Sequence, residues 1–142
     1  ALPISYYSDK ACKKVVKAAN VKNVGIYYVK ATVAADAKYK SATSAVVKLT
    51  IKKAKQPLEV TPAKKNYKVK KLKNNAATFT IKAKKNQGKV TYKSGSKKVK
   101  VTSKGKVTIN KGTKKGTYKI TVTAKGNSNY ASGKVVIKIT VK

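Results

Sequence analysis

The chain has 142 residues, 41% of them hydrophobic, enough to fill one core or two small ones, and its 36 basic residues, all lysine, face only Asp9, Asp36 and Glu59, for a formal charge of +33. There is no His, Met, Trp or Arg, and Cys12 is the one cysteine. That composition excludes an internal disulfide and a zinc or iron-sulfur centre, and it removes most acid-base catalysis, so no catalytic, cofactor-binding or metal-ligating set is expected.

Taken from the N-terminus, Ala1-Leu2-Pro3-Ile4 carries no charged leader or apolar signal core, and no run is long enough to span a bilayer. The expectation is a mature segment, or a fragment, of something larger, with no membrane insertion. Short strands are predicted over Ile4–Tyr7, Lys13–Val16, 25–35 and 44–52. Then Ala54-Lys55-Gln56-Pro57 breaks the pattern, because proline cannot donate to a ladder, which places a junction near residues 53–57. The first unit, 1–54, is read as the closing part of a β repeat that leaves strand edges unpaired; the second, 55–142, is read as complete.

In the second unit short strands are expected near Leu58–Val60 and Tyr67–Val69. Two-residue alternation then puts Phe79, Ile81 and Ala83 on one face, followed by Val90 with Tyr92, Val99 with Val101, and Val107 with Ile109. The strongest alternation comes last. Tyr118, Ile120, Val122 and Ala124 share one face of a strand, as do Val135, Ile137, Ile139 and Val141, while Lys and Thr take the other. Glycine and asparagine in Asn86-Gln87-Gly88, Ser94-Gly95-Ser96, Ser103-Lys104-Gly105, Asn110-Lys111-Gly112 and Gly126–Asn129 are expected to supply left-handed turns. Seven or eight half-apolar strands close most simply as an antiparallel immunoglobulin-like β-sandwich.

Part of the sequence repeats itself. Gly25-Ile26-Tyr27-Tyr28-Val29-Lys30-Ala31-Thr32-Val33 with Tyr39 returns as Gly116-Thr117-Tyr118-Lys119-Ile120-Thr121-Val122-Thr123 with Tyr130, the second tyrosine fourteen positions after the glycine in both copies. Each copy runs on into a terminal strand, Val46–Ile51 and Val136–Val141, with one extra residue in the first. A spacing of about ninety residues suits one sandwich domain per repeat. Tyr27 and Tyr118 are expected to bury their rings at a sheet corner and return the hydroxyl to backbone, and Tyr39 and Tyr130 to cover the end of the same core.

Gly25–Ala31, Ala37-Lys38-Tyr39 and Val47–Ala54 together resemble the closing half of the bacterial extracellular MBG-type repeat. Residues 102–125 resemble the bacterial immunoglobulin-like repeats of lysine-rich surface proteins from Firmicutes. The resemblance covers most of the chain and rests on turn-plus-strand patterns. It implies an extracellular, secreted or cell-wall-associated tandem array of modules that hold another domain away from the cell or contribute to adhesion. It supplies no catalytic residues, and the first unit departs from it by lacking the opening half.

Other chemistry is sparse. Ser94-Gly95-Ser96-Lys97 has the Ser-x-x-Lys spacing of some acylating enzymes, but in a chain this rich in Ser and Lys the match is expected by chance, and it falls in a turn. An intramolecular Lys–Asn isopeptide bond, as some surface immunoglobulin-like domains resemble, needs a buried acid, for which Glu59 is the sole candidate in the second unit. Specific nucleic-acid recognition lacks arginine forks and a stacking platform.

Three readings stay open. The first is a non-enzymatic structural spacer or adhesion module, with neighbouring repeats of the same protein as partners. The second is a polyanion-binding module that attaches to anionic glycans, to cell-wall polymers such as teichoic acid, or to nucleic acid without sequence specificity, through Lys97, Lys98, Lys100, Lys104, Lys106, Lys111, Lys114 and Lys115, in a salt-sensitive way. The third is an assembly subunit that completes its partial N-terminal sheet with another chain. Lysine on an outward strand face is in the first instance a solvating residue that discourages edge-to-edge aggregation.

Overall fold

Alternating β-branched and polar residues dictate strands that are apolar on one face, and such a face is stable only when another layer covers it. The computed structural model describes residues 3–142, and they form a nearly all-β chain that divides after Lys53 into two units.

The first unit contains β1 (Ile4–Tyr7), β2 (Val15–Val16), a 3-10 turn (Ala18–Asn20), β3 (Gly25–Val33), β4 (Ala42–Thr43) and β5 (Val47–Ile51). They make a single antiparallel sheet in the order β2-β1-β3-β4, with β5 also paired to β3. Only Tyr7 and Tyr27 are buried hydrophobics among its described residues, while Ile4, Val33, Val47 and Leu49 lie exposed. The strand expected from Lys13 shortens to Val15–Val16, because Lys13 and Lys14 both turn their amides toward the Asp9 carboxylate.

The second unit runs through β6 (Glu59–Thr61), β7 (Lys64–Tyr67), the helical turn α1 (Val69–Leu72), β8 (Ala77–Thr80), β9 (Lys82–Lys84), β10 (Val90–Ser94), β11 (Val99–Val101), β12 (Lys106–Ile109), β13 (Gly116–Ala124) and β14 (Gly133–Val141). One layer has the order β10-β13-β14-β7 and the facing one β11-β12-β8, with the β6-β9 pair beside them. Ile120, Val122, Ile137, Ile139 and Val141 from the first layer meet Val99, Val107 and Ile109 from the second, with Leu72 and Ile81 completing the buried cluster. Each fully buried aliphatic side chain contributes about 1.5–3 kcal/mol. This unit is the immunoglobulin-like antiparallel sandwich that the alternation predicts.

Three local expectations are corrected. The strand expected near Tyr67–Val69 lies earlier, at Lys64–Tyr67, and Val69 opens α1, which swings Leu72 into the core while the Leu72 carbonyl accepts from Gly112 N at 2.7 Å. The named strands pair antiparallel except for β7 and β14, which run parallel with Lys138 opposite Lys64 and Val141 opposite Tyr67; the isolated Ala54–Tyr130 bridge is parallel as well. Of the turns named from sequence, left-handed angles occur at Gly105 and Gly112 but at none of the asparagines. Asn86 and Asn127 instead shape their turns through side-chain hydrogen bonds, Asn86 Nδ2 donating to Gly88 O at 2.8 Å and Asn127 Oδ1 accepting from Asn129 N and Tyr130 N at 2.9 and 2.8 Å.

At Gly105 both backbone angle and space require glycine. At φ +80° it closes the β11–β12 hairpin, and a Cβ there would stand 2.6 Å from the Ile81 carbonyl oxygen. Its own carbonyl accepts from Ile81 N at 2.8 Å, at the point where the chain leaves β8 for β9 and changes sheet.

Candidate functional site

The eight lysines named from sequence are all exposed and belong to one layer of the second unit. Lys100 on β11 and Lys106 on β12 point away from the core, opposite Thr108 and Thr80 respectively, so the outer face of this layer alternates lysine with threonine. Lys97 and Lys98 precede β11; their carbonyls accept from Asn110, whose neighbour is Lys111, at the end of the hairpin where Lys114 and Lys115 follow. Lys104 sits in the Gly105 turn at the opposite end. The sequence cluster is thus spread along the whole outer face and both rims of a three-stranded layer. None of the eight has an acidic partner: among the described residues the one ion pair is Lys85 Nζ to Glu59 Oε1 at 2.7 Å.

That pair also answers the isopeptide idea. The Glu59 side chain is 56% exposed on β6, so it offers no buried acid to promote bond formation. Cys12 is half-buried at φ 53°, in a loop governed by Asp9. Asp9 Oδ1 accepts from Lys14 N at 2.6 Å and from Lys13 N at 3.2 Å, and the Lys14 bond is the main cause that draws its carboxyl below the ordinary value of 3.8. Burial pushes the Tyr67 hydroxyl above its ordinary value of 10.0. Tyr67 borders a shallow depression with Asn66, Lys68, Lys71, Leu72, Ala76 and Ala77. Among the described residues no group of three or more His, Cys, Asp or Glu side chains could hold a metal, and no helix is long and apolar enough to cross a membrane.

The repeat glycines and tyrosines have a definite geometry. Tyr27 Oη donates toward Asn23 O at 3.1 Å and lies 3.3 Å from Asn20 O; Tyr118 Oη donates to Lys114 O at 2.9 Å. In both copies the acceptor lies four residues upstream, across the turn that Gly25 or Gly116 ends. Cross-strand registers agree as well: Gly25 faces Ile51, Tyr27 faces Leu49 and Val29 faces Val47, just as Gly116 faces Val141, Tyr118 faces Ile139 and Ile120 faces Ile137.

The second tyrosines diverge. Tyr130 is half-buried and bridges Ala54, whose amide donates to Asn129 O at 2.8 Å. Tyr39 is 72% exposed and covers no core, which corrects the expectation for it. Its turn is nevertheless built the same way: Asp36 Oδ1 accepts from Lys38 N and Tyr39 N at 2.8 and 2.7 Å, as Asn127 Oδ1 does in the second copy. Aligning the copies would have revealed this shared Asp/Asn three residues before the tyrosine.

Gln56 is a residue that sequence reasoning missed. It is 7% exposed, its Oε1 accepts from Gln87 N at 2.7 Å, and its Nε2 donates toward Lys125 O and Ala131 O at 3.4 and 3.3 Å. One side chain therefore ties the segment entering the second unit to two separate loops. Gly133 makes room for it, since a Cβ there would fall 2.6 Å from Gln56 Cβ.

No family model and no curated protein matches the chain. Among solved structures it is similar to Drosophila N-cadherin EC1-4 at 17% identity, with 99% of this chain and 42% of that one covered and a TM-score of 0.43. It is similar to mouse protocadherin-24 EC1-3 at 13% identity, over 98% of this chain and 58% of that one, TM-score 0.46. Murine CEACAM1b follows at 12% identity, over 100% of this chain and 87% of that one, TM-score 0.32. The chain spans about half the length of the two cadherin-type structures.

Proposed function

We propose that the chain is a non-enzymatic spacer or adhesion module of a secreted or surface-displayed bacterial protein, built from MBG-type and immunoglobulin-like repeats. One observation carries the reading: the same closing hairpin is made twice, with the same cross-strand register, the same tyrosine-to-backbone bond and the same Asp/Asn turn. Repetition of a β module along one chain builds length and presentation, and the side chains that the two copies share are the ones that hold strands together.

A second reading, attachment to polyanions, is favoured by the outward layer of lysines that lack acidic partners. A single experiment separates the two. Retention on dextran sulfate and on neutral dextran is followed from low salt to 0.15 M, where the screening length is about 8 Å. Two variants accompany the protein: one with the eight layer lysines changed to glutamine, and one with eight lysines changed elsewhere. The spacer reading expects both variants to lose dextran sulfate retention equally, because charge alone is responsible. Selective loss in the layer variant would replace it with the polyanion reading.

A further inference from the structure

The depression beside Tyr67 lies in the second unit, where β7 ends, α1 turns and β8 begins. Its volume of about 480 Å³ falls within the range of small-molecule sites. Tyr67, Leu72 and Ala77 give it an apolar lining, and the small side chains of Ala76 and Ala77 leave the space open. Asn66, Lys68 and Lys71 add polar groups, all three exposed. The backbone holds this shape in place: Lys142 N donates to Tyr67 O at 2.9 Å, Val69 N to Lys142 O at 2.7 Å and Gly112 N to Leu72 O at 2.7 Å. Four lysines crowd the turn, Lys68, Lys70, Lys71 and Lys73, but only Lys68 and Lys71 line the depression. Positions three apart on a helical turn are neighbours, so these two ammonium groups repel each other. No acid offsets them, since the one ion pair among the described residues, Lys85 with Glu59, lies elsewhere.

From this meeting of an apolar lining, a free amide side chain and two neighbouring ammonium groups we infer that the depression is a binding site for a carboxylate-bearing sugar. The carboxylate takes the place between Lys68 and Lys71, where it relieves their repulsion; lysine serves as a compact point charge that demands no fixed fork geometry. The apolar face of the sugar ring lies against Tyr67 and Ala77, and its hydroxyls meet the Asn66 amide and the Tyr67 hydroxyl. Because the depression is shallow, its occupant keeps part of its surface in water. A sugar has hydroxyls to present there, whereas an aliphatic or aromatic acid would leave apolar surface wet. None of the eight lysines of the β11-β12-β8 layer lines this site, so it is separate from the polyanion reading and goes beyond the spacer reading.

The test titrates glucuronate into the whole chain in 0.15 M salt, where the screening length is about 8 Å, and follows backbone amide NMR shifts. Glucose serves as the neutral sugar and benzoate as the acid without hydroxyls. Glucuronate should give saturable shifts confined to the lining residues, and the two comparison compounds should bind more weakly. Lys68→Gln combined with Lys71→Gln should weaken glucuronate binding about fivefold, which is what two solvent-screened ion pairs supply. Lys70→Gln combined with Lys73→Gln makes the same change of charge on the same turn and should keep native affinity. Ala76→Leu leaves the charge unchanged, fills the depression and should abolish binding. All five side chains are exposed, so the variants should keep the thermal transition of the native chain. The inference is overturned if glucuronate binding does not saturate, if glucose or benzoate binds as tightly, if the two double variants weaken binding equally, or if Ala76→Leu binds with full affinity. Dextran sulfate retention sums charge over the whole surface, so failure here leaves that comparison intact.

Discussion

The two units carry the same closing hairpin, yet one encloses a dry interior and the other presents that surface to water. Ile120, Ile137 and Ile139 are fully buried; Val29 is half-buried, and Val47 and Leu49 are exposed, at the matching ladder positions. Strand identity and pairing are thus set within the hairpin by alternation, by the tyrosine bond and by the Asp/Asn turn. Burial is not. It comes from residues 57–112 in the second unit, and the stabilisation from hydrophobic contact is concentrated where that segment lies.

The strongest way to break this contrast is to truncate matched positions. Ile137→Ala should lower stability of the second unit by about 2–5 kcal/mol, since a fully buried aliphatic is lost and a cavity left. Val47→Ala should stay within about 0.5 kcal/mol. Chemical denaturation of both variants, followed by tyrosine fluorescence, checks the pair, and comparable losses would mean that the first hairpin is covered after all. A smaller effect sharpens the role of the junction. Gln56→Ala strips partners from Gln87 N and two carbonyls, so the second unit should lose about 1–3 kcal/mol, while amide exchange in residues 3–53 should be unchanged.

The smallest effect concerns pH and should be confined to the first unit. The Asp9 carboxyl titrates below 3.8 in the folded chain because it accepts the Lys14 and Lys13 amides. A carboxyl whose value is lowered by folding stabilises the folded state above pH 3.8, and that contribution fades as pH falls through the folded value. Acidification below pH 3.8 should accordingly lower the protection of the Lys13 and Lys14 amides, that is, their exchange rate relative to an unstructured peptide at the same pH, with Asp9→Asn showing the lost protection already at pH 7. Hydrogen exchange read by NMR is the measurement; identical rates at pH 7 in Asp9→Asn and the native chain would count against the carboxylate as the organiser of this loop.

Much of the second unit was legible because period-two patterning is a local property. Phe79, Val99, Val107, Ile120 and Ile137 each announce their face through their immediate neighbours. What stayed hidden depends on distant partners. Nothing local says that β7 runs parallel to β14, or that the chain changes sheets at Ile81, since both follow from where other strands already lie. Val69 reads as a strand residue because valine is β-branched, yet the need to bring Leu72 inward turns the backbone there into a helix. Tyr39 and Tyr130 look equivalent in sequence, yet Ala54, far away along the chain, bridges only the second. Gln56, polar and one residue before a proline, reads as part of the junction, and its burial depends on the backbone at 87, 125 and 131 converging on it. The lysine density is plain in the sequence, whereas its alternation with threonine arises from the register of β11, β12 and β8.

The parallel pairing of β7 with β14 has a mechanical meaning. One strand lies near the start of the second unit and the other at its end, so tension along the chain pulls them lengthwise past each other. The ladder bonds from Lys64 to Tyr67, together with Lys142 N to Tyr67 O at 2.9 Å and Val69 N to Lys142 O at 2.7 Å, are then loaded together in shear rather than opened one at a time like a zipper. A module joined in this way resists stretching between its own two ends.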